Sequence, residues 1–242
     1  MIKPRLLDLF CGAGGCAAGY QRAGFHVIGV DLNPQPHYCG DEFHQADALT
    51  FPLDGFDVIH ASPPCQAHSD LKHMWNAKRH IDLVPQTRER LIASGLPYVI
   101  ENVCGAPLLN PLILCGTMFG LQTADGEAEL WRHRKFESNI VLTAPGHCNH
   151  RKLEKVIGVY GGHGRDRRRV VISVNGHTGG RSIRDGTQGF SVAQRREAMG
   201  IDWMSGAELS QAIPPAYTEW IGRQLLQYLS RKGSQGCEQQ SK

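Results

Sequence analysis

One cysteine stands in a setting that favours nucleophilic chemistry. Cys65 directly follows Pro63 and Pro64, which come just after an apolar run at Phe56–His60. Prolines fix the backbone, and a cysteine thiol becomes a strong nucleophile once it ionises. An arbitrary cysteine is more often an inert, buried residue. Two prolines in front of Cys65, at the end of an expected strand, favour a catalytic role, so Cys65 is the candidate nucleophile.

A carboxylate occupies the corresponding place after another apolar run. Glu101 opens the sequence Glu101-Asn102-Val103 and follows the expected strand Pro97–Ile100. A carboxylate can act as an acid, as a base or as a hydrogen-bonding partner of a ring nitrogen. A single glutamate at the end of a strand is usually only a solvated side chain. Combined with Cys65, however, Glu101 completes a pair of nucleophile and acid.

A glycine-rich turn and an acid form a candidate nucleoside site. The sequence Asp8-Leu-Phe-Cys-Gly-Ala-Gly-Gly15 joins an expected strand to a helix, and Asp31 ends the next strand. Glycines let the backbone approach a ligand closely, and the acid can bind ribose hydroxyls. The glycine spacing differs from the G-x-G-x-x-G that cradles a pyrophosphate. It therefore favours a nucleoside without phosphates, such as S-adenosylmethionine, and the alternative is a tight turn that binds nothing.

The elements that must position these residues alternate between strand and helix signals. Apolar runs that predict strands, the third of them weak, are Arg5–Phe10, Phe25–Val30, His44–Asp47, Phe56–His60 and Pro97–Ile100. Helix signals fall at Cys16–Ala23 and Thr87–Ser94. This alternation predicts an α/β fold with a mostly parallel sheet that is covered on both faces. Ligands bind at the carboxyl ends of such strands, so the candidate residues are expected to share one rim.

Composition and length limit the class of protein. A chain of 242 residues with 41% hydrophobic residues can bury the core of one large domain. The eight cysteines form no C-x-x-C pair and the first residues lack an apolar signal region, so we expect a cytoplasmic protein with free thiols. The stretch Val103–Ala124 is uncharged. Its glycines and prolines would leave backbone groups unsatisfied in lipid, so no membrane span is expected.

The motifs together resemble the DNA cytosine-C5 methyltransferases. The glycine turn, Pro64-Cys65-Gln66 and Glu101-Asn102-Val103 occur in the order of that family, with comparable separations. Arg132-His-Arg134 resembles its Arg-x-Arg motif, and Ser191–Gly200 resembles a later helix. Ser210-Gln211-Ala212-Ile213-Pro214 stands where the family has Gly-Asn-Ala-Val-Pro. The resemblance implies a Rossmann-like, S-adenosylmethionine-dependent enzyme, in a short form of phage or bacterial type.

The resemblance also implies roles for individual residues. The target cytosine would be flipped out of the duplex. Cys65 would then attack C6, Glu101 would hold N3 and the exocyclic amine, and Arg134, helped by Arg132, would contact O2 of the base. The residues expected to bind S-adenosylmethionine are Phe10, Gly12, Gly14, Asp31, Leu32, Asp47 and Pro64. Asp31 and Asp47 could instead be ordinary turn acids.

The expected organisation has four parts. Residues 1–137 form the catalytic domain, 138–189 a small, basic, Gly-rich target-recognition segment, 190–231 helices that return to the catalytic domain, and 232–242 a disordered tail. The net charge is only +3, but residues 151–200 hold eleven Lys and Arg against four acids. The residues expected to contact DNA are Gln66, Ser69, Arg165, Arg167, Arg168, Arg169, Arg181 and Arg184. The alternative for the arginines is a solvated basic surface.

Double-stranded DNA is the expected partner of a monomeric enzyme. A cognate restriction endonuclease, viral protection and a regulatory role all stay open, and so does the target sequence. The rival functions are an RNA (tRNA) cytosine methyltransferase, a non-catalytic DNA-binding protein that keeps the fold, and last a nicotinamide oxidoreductase.

His147-Cys148-x-His150 has a spacing that a metal could use. Because no second Cys/His cluster at a suitable interval completes it, no metal is expected.

Overall fold

A computed structural model describes residues 2–68, 81–150, 155–158, 170–173 and 190–239 of the chain. The strands are β1 (Arg5–Leu9), β2 (His26–Asp31), β3 (Glu42–Gln45), β4 (Val58–Ala61), β5 (Tyr98–Asn102), β6 (Leu112–Leu114), β7 (Ala128–Trp131), β8 (Arg134–Ser138), β9 (Lys155–Gly158) and β10 (Val170–Ser173). The α-helices are α1 (Gly15–Ala23), α2 (Val84–Ser94), α3 (Val192–Met199), α4 (Gly206–Gln211) and α5 (Pro215–Gln239).

The main sheet has seven strands in the order β3-β2-β1-β4-β5-β8-β6. The pairings from β3 to β5 are all parallel, and only β8 runs antiparallel to its two neighbours. The central strands are mostly apolar because both faces of the sheet are covered, and Leu6, Leu7, Ile59 and Ile100 are fully buried. The expected α/β fold with a mostly parallel sheet is confirmed.

The C-terminal helix α5 packs against α1 over one face of this sheet. Tyr217, Ile221 and Leu225 bury one side of α5 in the same core as Tyr20 of α1. A glycine at position 19 allows the two helices to approach closely, because a Cβ there would overlap the carbonyl oxygen of Pro215. The last helix therefore covers the strands that carry the candidate site.

A second, smaller sheet has the order β10-β9-β7, and both pairings are parallel. Ala128 of β7 pairs with Lys155 of β9, so this sheet joins the expected catalytic domain to the expected recognition segment. Strands β9 and β10 both lie within the expected recognition segment. The catalytic domain and the recognition segment are thus linked through β7, a strand that precedes the expected boundary at residue 137.

The C-terminal tail and the uncharged stretch 103–124 were both singled out in the sequence. The backbone of α5 is helical to Gln239, where a disordered tail was expected from residue 232, and 240–242 lie outside the described residues. The uncharged stretch 103–124 contains β6 and a 3-10 turn at Gly116–Phe119. Within the described parts of the chain, every helix is too short or too polar to cross a bilayer.

Candidate active site

Cys65 lies at the start of a 3-10 turn, Cys65–Ala67, that follows β4. Its side chain is half-buried, and the neighbouring Pro64 is exposed. The amide of Asn102 at the end of β5 donates a hydrogen bond to the carbonyl oxygen of Pro63 at 2.9 Å. Asn102 is 1% exposed and also accepts from the backbone N–H of Val103. The end of β5 therefore holds the loop that presents the thiol, a role for Asn102 that the sequence did not reveal.

Glu101 forms a buried ion pair with Arg134. Nε of Arg134 lies 3.2 Å from Oε1 of Glu101, and each side chain is 7% exposed. The antiparallel pairing of β5 with β8 brings the two residues together. Burial raises the pKa of Glu101, and this rise is opposed by Arg134, Arg132 and a hydrogen bond with Ser62. Glu101 is thus a carboxyl that holds a proton more tightly than an exposed glutamate does.

A buried hydrogen-bonded chain leads from α1 to Glu101. Oη of Tyr20 lies 2.9 Å from Nδ1 of His60, and Nε2 of His60 lies 2.9 Å from Oγ of Ser62. Ser62 in turn contacts Glu101. Burial lowers the pKa of His60 to about 3, so its ring is neutral at ordinary pH. Sequence reasoning missed these hydrogen bonds, because His60 and Ser62 lie in or beside an apolar strand and Tyr20 is far from them in sequence.

The turn after β1 carries three residues with positive φ. Phe10 has φ 60°, Gly12 has φ 50° and Gly14 has φ 87°. A Cβ on Gly14 would lie 2.8 Å from the sulfur of Cys39, whereas a Cβ on Gly12 would meet nothing within 4 Å. Gly14 is therefore required by packing inside the protein. Gly12 leaves open space into which a ligand can fit against the backbone.

Asp31 at the end of β2 is tied to this turn. One carboxylate oxygen accepts from the backbone N–H of Gly12 at 3.1 Å, and the other accepts from Asn33 at 2.9 Å. Asp47 follows β3, is exposed, and accepts from the N–H of Leu49 at 2.9 Å. Leu32 is 68% exposed. Because β3, β2, β1, β4 and β5 are parallel neighbours, the residues that follow them share one rim of the sheet.

Asp8 is a further acid at this rim that sequence reasoning did not assign. It lies within β1, is fully buried, and its two carboxylate oxygens have no hydrogen-bond partner among the described residues. Burial raises its pKa well above the ordinary value, and the nearby charges of Asp31 and Glu101 raise it further. A cation placed beside Asp8 would restore its ionised form.

Arg132, expected to help at the base, is fully buried and contacts a different part of the chain. Its guanidinium donates to the carbonyl oxygens of Ser210 at 3.2 Å and Ala212 at 2.5 Å. Its own carbonyl oxygen accepts from Oη of Tyr217 at 2.6 Å. These contacts favour a positioning role, since they fix the loop after α4 that packs on the glycine turn.

Of the residues expected to contact DNA, only Gln66 lies within the described part of the chain. It is exposed, directly after Cys65. Ser69 and the six arginines at 165–184 fall on residues that the structure does not describe. The expected DNA surface therefore stays a prediction.

The structure brings four potential metal ligands together away from the glycine turn. Of the motif His147-Cys148-x-His150, the structure places Cys148 and His150 with Cys115 and His133, and the four ligand atoms are within 4.8 Å of one another. The sequence offers no second Cys/His cluster at a suitable interval, and two single residues complete the set instead. Cys115 and His133 come from separate connections between strands, so no local spacing pattern could show them.

Comparison with known sequences gives a short local match. No family model matches the chain. The chain is 35% identical over 80 residues to the Type II methyltransferase M1.HphI of Haemophilus parahaemolyticus, a match that covers 26% of this chain and 21% of that protein. The chain thus spans about a fifth of that curated relative.

Two solved structures resemble nearly the whole chain. The Dnmt2 methyltransferase of S. pombe superposes with a TM-score of 0.58 at 15% identity, covering 94% of this chain and 99% of that one. The Entamoeba histolytica methyltransferase EhMeth gives a TM-score of 0.55 at 11% identity, with 95% and 99% covered. The chain has the Rossmann-like fold of S-adenosylmethionine-dependent methyltransferases.

Proposed function

We propose that this protein is a DNA cytosine-C5 methyltransferase. The observation that carries the proposal is the buried Glu101–Arg134 pair, which lies at the end of the strand next to the one that presents Cys65. The local match to a Type II methyltransferase and the Rossmann-like fold support a methyl-transfer enzyme. The pair and the thiol supply the two groups that modification of cytosine C5 requires.

S-adenosylmethionine is the cofactor, and it supplies the methyl group. The residues of the rim fit it in three respects. Gly12 leaves space against the backbone, Asp31 offers a carboxylate for ribose hydroxyls, and Asp8 is a buried carboxylate that lacks a partner among the described residues. A cofactor that carries both a sulfonium and an ammonium suits such an acid, whereas an anionic pyrophosphate would be repelled by it.

The chemistry follows from the low reactivity of cytosine C5. Addition of the Cys65 thiolate to C6 forms a carbon–sulfur bond and pushes electron density toward C5 and N3. Glu101, whose pKa is raised by burial, holds a proton at N3 and so stabilises that density. C5 accepts the methyl group, whose transfer would leave S-adenosylhomocysteine. Loss of the C5 proton to a base then restores the C5–C6 double bond and expels the Cys65 thiolate as the C6–sulfur bond breaks. Arg134 keeps Glu101 in place throughout.

Several finer assignments belong to the same proposal. Residues 138–189 form the segment that reads DNA. Arg165, Arg167, Arg168 and Arg169 bind phosphates of the duplex, and Arg181 and Arg184 contact base edges. The enzyme acts as a monomer. Its target cytosine is flipped out of the duplex, because the C5 atom of a base inside the stack cannot be reached.

Methyl transfer from tritiated S-adenosylmethionine tests the proposal. We expect label in duplex DNA with the wild type and with Cys104→Ser, a change of an exposed cysteine outside the proposed chemistry, and none with Cys65→Ala. Label in DNA with Cys65→Ala would contradict the mechanism, and label in tRNA alone would contradict the substrate. DNA that contains 5-fluorocytosine should trap a covalent adduct on Cys65, because fluorine cannot leave as the proton does.

A further inference from the structure

Four side chains from three separate stretches converge outside the proposed active site. Cys115 lies just after β6, His133 lies in the connection between β7 and β8, and Cys148 and His150 lie in the stretch that follows β8. All four ligand atoms are within 4.8 Å of one another. Two thiols and two imidazoles in so small a volume are the ligand set of a structural zinc ion.

The distances between the ligand atoms match a tetrahedral ion. Zinc bound about 2.3 Å from sulfur and about 2.0–2.1 Å from nitrogen places sulfur and nitrogen ligands about 3.6 Å apart. Sγ of Cys115 lies 3.4 Å from Nε2 of His150, and Sγ of Cys148 lies 3.4 Å from Nε2 of His133. Cys148 and His150 are closer, at 2.7 Å, and a small opening of this pair would admit the ion.

We propose that Cys115, His133, Cys148 and His150 bind one structural zinc ion. Two thiolates neutralise the charge of Zn²⁺, and two neutral imidazoles complete the tetrahedron. Since the protein fills all four positions, this site has no place for a substrate or a reactive water. It is therefore a structural centre and takes no part in methyl transfer.

The surroundings of the four residues support binding of a metal. Oγ1 of Thr117 lies 3.5 Å from the sulfur of Cys115 and 3.5 Å from that of Cys148, where a hydroxyl can donate to a thiolate. The ring of Trp131 stacks on His150 with 4.0 Å between centroids and 16° between planes. This contact orients the imidazole, although His150 itself is exposed. Such outer contacts are typical of ligands held in one orientation for a metal.

The position of the ion would connect two parts of the proposed enzyme. His133 lies between Arg132 and Arg134, so a metal on His133 would fix the turn that delivers Arg134 to Glu101. His150 directly precedes residues 151–200, which hold eleven Lys and Arg. The ion would thus anchor both Arg134 and the residue that leads into this basic stretch. This consequence depends on the proposed function, but the metal site itself does not.

Metal content of the full-length chain tests the proposal. Protein purified without chelators or a histidine tag should hold about one zinc ion per chain, as determined by mass spectrometry. Cys148→Ser and His150→Ala should bind zinc at least about tenfold more weakly. The matched control is His147→Ala, which removes an exposed histidine of the same stretch that is not in the cluster.

Two further measurements keep the test decisive if a variant folds poorly. His150→Cys replaces one zinc ligand by another and should restore one ion per chain. Co²⁺ in place of zinc should give the visible absorption of a tetrahedral site with thiolate ligands. Wild-type protein that holds no metal after incubation with zinc, or that contains a Cys115–Cys148 disulfide, would overturn the proposal. Equal zinc affinity in His147→Ala and His150→Ala, measured by competition with a chelator, would overturn it as well.

Discussion

Nε of Arg134 lies 3.2 Å from Oε1 of Glu101 in a site where both side chains are only 7% exposed. Two groups buried together in this way depend on each other, because removal of one leaves the other as an uncompensated buried charge. Arg134 stands at the first position of β8 and Glu101 on β5, so the pair also connects the one antiparallel strand to the parallel part of the sheet.

Replacement of Arg134 should impair methyl transfer far more than replacement of its neighbour. Arg134→Gln removes the charge that opposes the rise in the pKa of Glu101, and it frees the Glu101 side chain to move. We expect the single-turnover rate of methyl transfer to fall by about 10²-fold or more. Lys135→Gln is the control, since the ammonium of Lys135 donates to the carbonyl oxygen of Ala106 at 3.2 Å. Equal rates in the two variants would refute a role for Arg134.

Loss of the Ser62 hydroxyl should move the titration of Glu101 to higher pH. The hydrogen bond with Ser62 lowers the pKa of Glu101, so Ser62→Ala should raise it. The limb of the pH–rate profile that reports Glu101 should therefore shift upward, whereas Ser230→Ala, on the exposed end of α5, should leave the profile unchanged. A profile that does not move in Ser62→Ala would show that Ser62 does not act on Glu101.

The same shift has a consequence for stability. Glu101 binds its proton more tightly in the folded chain than in the unfolded chain, where its pKa is near the ordinary 4.5. The folded state is favoured by this group at low pH and loses that contribution as the pH rises through the raised pKa. Ser62→Ala should extend the loss to higher pH, which urea unfolding at a series of pH values would detect.

The sequence predicted the parallel strands well, and the physical reason is their burial. Strands covered on both faces are continuous apolar runs, and β1, β2, β4 and β5 all lie within a few residues of the expected runs. The glycine turn after β1 and the position of Asp31 at the end of β2 could also be predicted, since both follow from the order of residues within a short stretch of sequence. The backbone N–H of Gly12 donates to Asp31, so the structure places the two side by side, and their role in binding a cofactor stays a prediction.

Elements whose character depends on distant partners could not be predicted. β8 reads Arg134-Lys-Phe-Glu-Ser138, a charged sequence that does not look like a buried strand. It is buried because Arg134 pairs with Glu101 and Glu137 pairs with Arg88, residues that are far away in sequence. The buried role of Arg132 and the Cys/His cluster were missed for the same reason. Local sequence shows which groups are present, and the tertiary contacts decide what they do.

The ion pair between Arg88 of α2 and Glu137 of β8 should be important for stability. The contact is bidentate, with both nitrogen–oxygen distances at 2.7 Å, and the Glu137 side chain is 3% exposed. Glu137 also accepts from the backbone N–H of Leu109. Arg88→Met would leave this buried carboxylate without its cation, so the free energy of unfolding should fall by about 3–5 kcal/mol.

An exposed pair of the same type provides the control for Arg88. Arg223 and Glu219 form an i,i+4 pair on α5, and the Arg223 side chain is 62% exposed. Arg223→Met should change the free energy of unfolding by about 0.5 kcal/mol or less, since solvent screens such pairs. Urea denaturation of both variants gives the comparison. Similar losses in the two would show that burial of Glu137 does not set the cost.

Asp31 should determine affinity for the cofactor. Its carboxylate accepts from the N–H groups of Gly12 and Asn33, which holds it at the mouth of the glycine turn with its oxygens near the proposed ribose position. Asp31→Ala should weaken binding of S-adenosylhomocysteine at least about tenfold, or about 1.4 kcal/mol. Asp54→Ala, an exposed acid in the loop before β4, should bind as the wild type does. Calorimetric titration measures both, and unchanged affinity in Asp31→Ala would place the nucleoside elsewhere on the rim.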